Sequence, residues 1–253
     1  MKRLEDNVTI ITGGGKGIGY GLAEAFAEEG SNLVITGRTE SRLIEAKEKL
    51  EKKYGVKVLT IVADGADEEA IKNVVRKAIE TFGKINTLVN NAQVSKSGLP
   101  LVEHSREDLD MAIHSGLYAA FFYMRECHPY LKQTRGSVIN FASGAGLFGK
   151  LGQSSYAAAK EGIRGMSRVA AAEWGPDGIR VNVICPLAMT ESFMQWKEQF
   201  NDLYEKTIQG IPLGHFADPK DDIGRVAVFL ASEDANYVTG ETITLQGGSG
   251  LRP

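Results

Sequence analysis

The reading of this chain turns on "VTIITGGGKGIGYG", residues 8–21, where a β-branched run breaks into glycines and then into helical sequence. A short apolar run of that kind bounded by turn residues reads as a buried strand. A glycine-rich turn leading from a strand into a helix N-terminus brings backbone N–H groups close to a phosphate, because glycine carries no side chain and the helix end is partly positive. The spacing is T-G-x-x-x-G-x-G, set by Thr12, Gly13, Gly17 and Gly19, and not the commoner G-x-G-x-x-G. With Gly15, Lys16 and Ile18 between them, these residues form a candidate pyrophosphate cradle.

Outward from this loop, β-branched runs alternate with helical periodicity. "NLVIT" precedes a helix at 40–53, "VKVLTIVA" one at 67–82, "NTLVNNA" one at 106–134 and "SVINFAS" one at 153–174. "IRVNVIC" follows, then a helix at 219–231 and a last strand in "ETITLQ". Seven strands alternating with six helices predict an α/β fold: a single Rossmann-type doubly wound domain over 1–253, its parallel seven-stranded sheet covered by helices on both faces. The stretch 187–217 has no evident strand and reads as a functional insertion at the sheet's edge.

Composition narrows the function classes. The chain has 253 residues, 43% hydrophobic content and a net charge of −3, enough for a large core and without a basic footprint for nucleic acid. No apolar run approaches the roughly 20 residues of a membrane span. Cys127 and Cys185 form no C-x-x-C and "MKRLEDNVTI" has no apolar signal region, so a reduced, cytoplasmic protein is expected. His104, His114, His128 and His215 show no metal-ligand spacing, and no metal site is expected.

A dinucleotide site should carry an acid at the end of the second strand for a ribose 2′-hydroxyl, or an arginine for a 2′-phosphate. The sequence there is "VITGRTE", with Arg38 and no carboxylate, and Lys16 in the loop adds a cation. Together they point to NADP(H). Tyr156 and Lys160, in "SSYAAAKEGIRGMS" (154–167), lie one helical turn apart, a spacing that brings phenol and ammonium over a common neighbour and equally suits a tightly packed helix.

In this order the motifs resemble the short-chain dehydrogenase/reductase family from about residue 5 to about 250. Beyond the glycine loop they include Asp64 after the third strand, "NNAQ" at 90–93, Ser143 after the fifth strand, Tyr156 with Lys160, and "CPLAMT" at 185–190. The resemblance implies an oxidoreductase interconverting a secondary alcohol and a ketone. Tyr156 would be its acid–base, its phenol lowered by Lys160 and by oxidised nicotinamide. Ser143 would donate to the substrate oxygen, and Lys160 would also hold the nicotinamide ribose. It implies that Asp64 contacts the adenine, that Asn91, Ala92 and Pro186 line the cofactor, and that Thr190 contacts the carboxamide.

Three positions depart from that pattern. The asparagine usual in the middle of the fourth helix is replaced within "IHSGLYAAFF" by Gly116 or its neighbour Ser115, Gln93 stands for the glycine of N-N-A-G, and Leu187 for that of P-G. In this family 187–217 forms a lid, and Phe193, Met194, Trp196, Phe200 and Tyr204 either line an apolar pocket for an extended or ring-bearing hydrophobic alcohol or ketone, a steroid among the options, or pack an amphipathic helix. Two alternatives stay open. One is a 3-oxoacyl carrier-protein reductase, which needs a basic patch such as Arg125, Lys132, Arg135 and Arg168; the other is an NADP(H)-binding regulator without turnover. Helices 106–134 and 153–174 are expected to pair in a homodimer or homotetramer, with Ile163, Met166 and Val169 on that face.

Overall fold

The computed structural model describes residues 2–199 and 201–250, apart from the side chains at 192, 195 and 196. β1 (Val8–Thr12), β2 (Asn32–Gly37), β3 (Val58–Val62), β4 (Thr87–Asn90), β5 (Ser137–Phe141), β6 (Arg180–Pro186) and β7 (Thr242–Leu245) form one sheet. Their order is β3-β2-β1-β4-β5-β6-β7, parallel throughout, with Ile10 paired to Val34 and to Leu88 at the centre. Chain direction across the sheet reverses between β1 and β4. The crevice beyond the carboxyl ends of those two strands is where doubly wound sheets bind ligands.

Alternation along each strand builds the two cores. Ile11, Ile35, Val89 and Ile139 face one layer, against α1 (Gly17–Glu28), α2 (Glu40–Tyr54) and α10 (Arg225–Ala231). Their neighbours Ile10, Val34, Leu88 and Val138 face the other, against α3 (Glu68–Phe82), α5 (Ala119–Thr134) and α7 (Ser154–Trp174). Because both faces are covered, the strands read as continuous apolar runs.

Helix ends follow local chemistry. Asp67 caps α3 by accepting from the backbone N–H of Glu69 and Ala70, and Gly83, at φ 75°, ends it. The expected helix at 106–134 is α4 (Arg106–Ala112), opened by a Ser105–Asp108 capping box, a π turn at Ile113–Tyr118, and then α5. The helix expected at 219–231 likewise begins as a π turn, Pro219–Gly224, before α10. Short α6 (Gly144–Phe148) and the paired α8 (Glu191–Gln199) and α9 (Asn201–Gln209) are additions to the six helices expected. No helix among the described residues is long and apolar enough to cross a membrane.

A buried polar chain ties the centre of the sheet to α7. Asn90 Nδ2 donates to Asn140 Oδ1 at 2.9 Å, and Asn140 Nδ2 donates to Ser167 Oγ at 2.8 Å. Asn140→Ala strips both neighbours of a partner inside the core, and a loss of about 1–3 kcal/mol is expected. Urea unfolding of the two proteins checks it.

Candidate active site

Thr12 organises the loop ends. Its Oγ accepts from the backbone N–H of Asn91 at 2.9 Å and of Ala92 at 3.0 Å, and Asn91 Nδ2 donates back to the Thr12 carbonyl at 2.9 Å. The ends of β1 and β4 are thereby locked together beneath the glycine turn. Gly13 has φ +70° and Gly17 φ +53°, a left-handed backbone that favours glycine. A Cβ on Gly19 would collide with the Gly13 carbonyl, so the first turn of α1 lies directly on the loop. Lys16, the N-cap of α1, makes no side-chain cap, which leaves the first backbone N–H groups directed at the cleft.

The cleft that results has a volume of about 390 Å³. Thr12, Gly13, Gly15, Lys16, Gly17, Ile18, Gly19, Arg38, Asp64, Asn91, Ala92, Lys160 and Thr190 all line it. Pro186, Ser143 and Tyr156 do not lie on its wall. At the second-strand end, Arg38 is exposed and Arg42, one turn along in α2, joins it on the wall. Arg42 was not singled out from sequence, although its four-residue spacing from Arg38 was the available signal.

Ser143, Tyr156 and Lys160 lie together beside the cleft, with Lys160 on its wall. Ser143 follows β5 and caps α6, its Oγ accepting from the Ala145 N–H at 3.1 Å, and its hydroxyl acts on the Tyr156 phenol, holding it lower. Lys160 is 3% exposed. Its ammonium donates to the Phe141 carbonyl at 2.6 Å and lies 5.6 Å from the centre of the Tyr156 ring. Burial pushes the Lys160 ammonium down to about 8. Burial also raises the Tyr156 phenol above its ordinary value, with the Ser143 hydroxyl pulling the other way. In the protein alone desolvation is the largest influence on the phenol; the lowering expected of Lys160 is an expectation for the site with oxidised nicotinamide bound.

The three departures acquire a structural account. The π turn at Ile113–Tyr118 breaks the fourth helix without an asparagine, and Ser115 Oγ donates to the Val94 carbonyl at 2.8 Å. Gln93 turns into that π turn, its Nε2 donating to the Ala112 carbonyl at 3.4 Å. Leu187 faces away from the cleft and packs with Met189, Phe193, Tyr204, Ile208, Ile211 and Phe216.

That cluster is the interior of segment 187–217. Phe193 and Phe216 rings lie 4.5 Å apart, and Tyr204 stacks on Phe216 at 5.7 Å. Phe193 and Tyr204 thus pack the segment's own core, while Met194 is exposed; the Trp196 side chain and Phe200 lie outside the described residues. Of the suggested basic patch, Arg125 pairs with Glu68 and Glu126, and Lys132 with Asp177. Ile163, expected on an outer face, is 3% exposed and lines the cleft. Helix periodicity alone does not say which side of α7 meets the sheet.

A strand-to-helix glycine cradle, a basic second-strand end and a Ser–Tyr–Lys cluster on one doubly wound sheet define a dinucleotide-dependent oxidoreductase. A family model described as enoyl-(acyl carrier protein) reductase matches residues 13–249. The chain is 58% identical to a 12alpha-hydroxysteroid dehydrogenase of Clostridium sp. over 259 aligned residues, all of both chains. It is 36% identical to a 3-oxoacyl-(acyl-carrier-protein) reductase of Thermotoga maritima over 97% of this chain and 98% of that one. The crystal structure of levodione reductase superposes with a TM-score of 0.93 at 31% identity, covering 98% of this chain and 99% of that chain. The chain belongs to the short-chain dehydrogenase/reductase family, an oxidoreductase that interconverts an alcohol and a ketone with a nicotinamide dinucleotide. Its residues fit that cofactor, since the glycine cradle leaves the space that a Cβ would fill.

Lys160 gives the free protein a defined pH dependence. With its folded value near 8 and its ordinary value of 10.5, the folded state releases the proton first as pH rises. The burial cost is complete below about 8 and is withdrawn between 8 and 10.5. Against a Lys160→Met variant, wild type should gain on the order of 3 kcal/mol across that window. Paired denaturant titrations at several pH values measure this difference.

Proposed function

We propose that the chain is an NADP(H)-dependent hydroxysteroid dehydrogenase, interconverting a steroid secondary alcohol and its ketone. The observation that carries the reaction is the grouping of Ser143 and Tyr156 with Lys160, which lies on the cleft wall. Full-length similarity to a 12alpha-hydroxysteroid dehydrogenase supports the substrate class. A dinucleotide held in the cleft would supply or take up the hydride.

The chain's own residues supply the rest. In reduction, Tyr156 gives its hydroxyl proton to the substrate oxygen as charge develops there, and in oxidation it takes that proton back. Ser143 donates a hydrogen bond to the same oxygen and stabilises the charge. Lys160 favours the phenolate and holds the ribose hydroxyls. The backbone of Thr12, Gly13, Gly15, Gly17, Ile18 and Gly19 cradles the pyrophosphate, Asp64 meets the adenine, and Asn91, Ala92, Pro186 and Thr190 line the nicotinamide end. Lys16, Arg38 and Arg42 hold the 2′-phosphate, which sets the preference for NADP(H).

The chain works as one catalytic domain over 1–253, with 187–217 as its lid, in a reducing cytoplasm where buried Cys127 and Cys185 stay reduced. It pairs as a homodimer or homotetramer through α5 and α7. Their outer faces form a groove lined by Phe121, Met166, Val169 and Trp174, with Phe121 and Val169 exposed. The carrier-protein reading is disfavoured by the acidic partners that neutralise Arg125 and Lys132.

Two measurements test the assignment. Tyr156→Phe should lose about 10²–10⁴-fold in steroid turnover while its NADPH titration is unchanged. Arg38→Ala should weaken NADPH by about 10–100-fold and leave NADH unaffected. Equal activity on acetoacetyl thioesters and ketosteroids would remove the substrate claim, and tighter NADH than NADPH binding would remove the cofactor claim.

A further inference from the structure

Gln93 and Gly116 compete for one space. A Cβ on Gly116 would fall 2.6 Å from Gln93 Cδ, 2.8 Å from Oε1 and 2.9 Å from Nε2, each closer than real contacts allow. Any side chain at 116 therefore evicts the Gln93 amide. Gly116 sits in the π turn, where one extra residue per turn takes the backbone carbonyls out of α-helical register. Gln93 Nε2 donates to one of the carbonyls at the entrance to that turn, Ala112 O.

The other end of the amide is unspent. Gln93 Oε1 is buried and accepts no hydrogen bond among the described residues. An acceptor held like that is costly unless something in the cleft donates to it. Gln93, Ser115, Gly116 and Lys160 line the same cleft, and the π turn packs on α7 beside Lys160, with Leu117 against Gly162. A lysine ammonium has three donor protons, and the Phe141 carbonyl takes one of them.

We propose that Gln93 is a positioning residue, seated by the missing side chain at Gly116, whose Oε1 accepts from a hydroxyl donor, ribose or water, placed between the π turn and Lys160. This deepens the reading of the cleft as a dinucleotide site and rests on it. Gln93→Met fills the same space without the amide, so it separates hydrogen bonding from packing. A ribose hydroxyl as donor makes Gln93→Met bind NADPH about tenfold more weakly. A water on the proton's path leaves NADPH binding unchanged and lowers kcat about tenfold with KM for the steroid unaltered. Wild-type binding together with wild-type kcat in Gln93→Met overturns the proposal.

The seating is tested without any substrate. Gly116→Ala should leave the melting midpoint of the full chain lower, relative to its own parent, in the wild-type background than beside Gln93→Ala, because the methyl group then has room. Equal losses in both backgrounds overturn the seating. If no steroid is turned over by wild type, the substrate assignment fails, the midpoints still decide the seating of Gln93, and unchanged NADPH binding in Gln93→Met overturns the ribose donor.

Discussion

Everything at the carboxyl edge of the sheet depends on the tie between the Thr12 hydroxyl and the backbone of Asn91 and Ala92. β1 and β4 are neighbours in space but 75 residues or more apart in sequence, and their ends diverge into loops running to opposite layers. A hydroxyl that accepts two backbone N–H groups satisfies donors that would otherwise lie unpaired beneath the cleft. It also sets the distance between the glycine turn and the loop carrying Gln93, and so the width of the cleft. The collision that any Cβ on Gly19 would suffer shows how little slack remains.

The chemistry beside the cleft is governed by burial. Lys160 and Tyr156 are both pushed toward their neutral forms by removal from water, which is the wrong direction for a phenolate and an ammonium acting together. The fold answers with oriented dipoles: the Phe141 carbonyl on the ammonium and the Ser143 hydroxyl on the phenol. Proton transfer then depends on how far the bound partners compensate the desolvation, which ties acid–base strength to occupancy of the cleft.

Two residues that look like losses from the sequence are repacked. Leu187 gives up close backbone approach and anchors the aromatic core of segment 187–217, turning two short helices into a unit with its own interior. Gln93 gives up the glycine's freedom and enters a turn opened by Gly116. In each case a substitution beside the cofactor region is matched by a cavity or cluster elsewhere, as close packing requires.

The sequence by itself determined the strands, their buried character, the glycine cradle, the basic second-strand end and the Tyr156–Lys160 spacing. These are local properties, set by side-chain period and turn chemistry over a few neighbouring residues. Tertiary structure decided what lies across gaps in the chain: Ser143 against Tyr156, the ammonium of Lys160 on Phe141, Ile163 turned inward, and Gln93 against Gly116. None of those meetings has a periodic signature, because each depends on the angle and distance at which separate elements pack. The π turn is the clearest case: "IHSGLY" has ordinary helical composition, and only its packing against α7 and the loop after β4 shows where the extra residue goes.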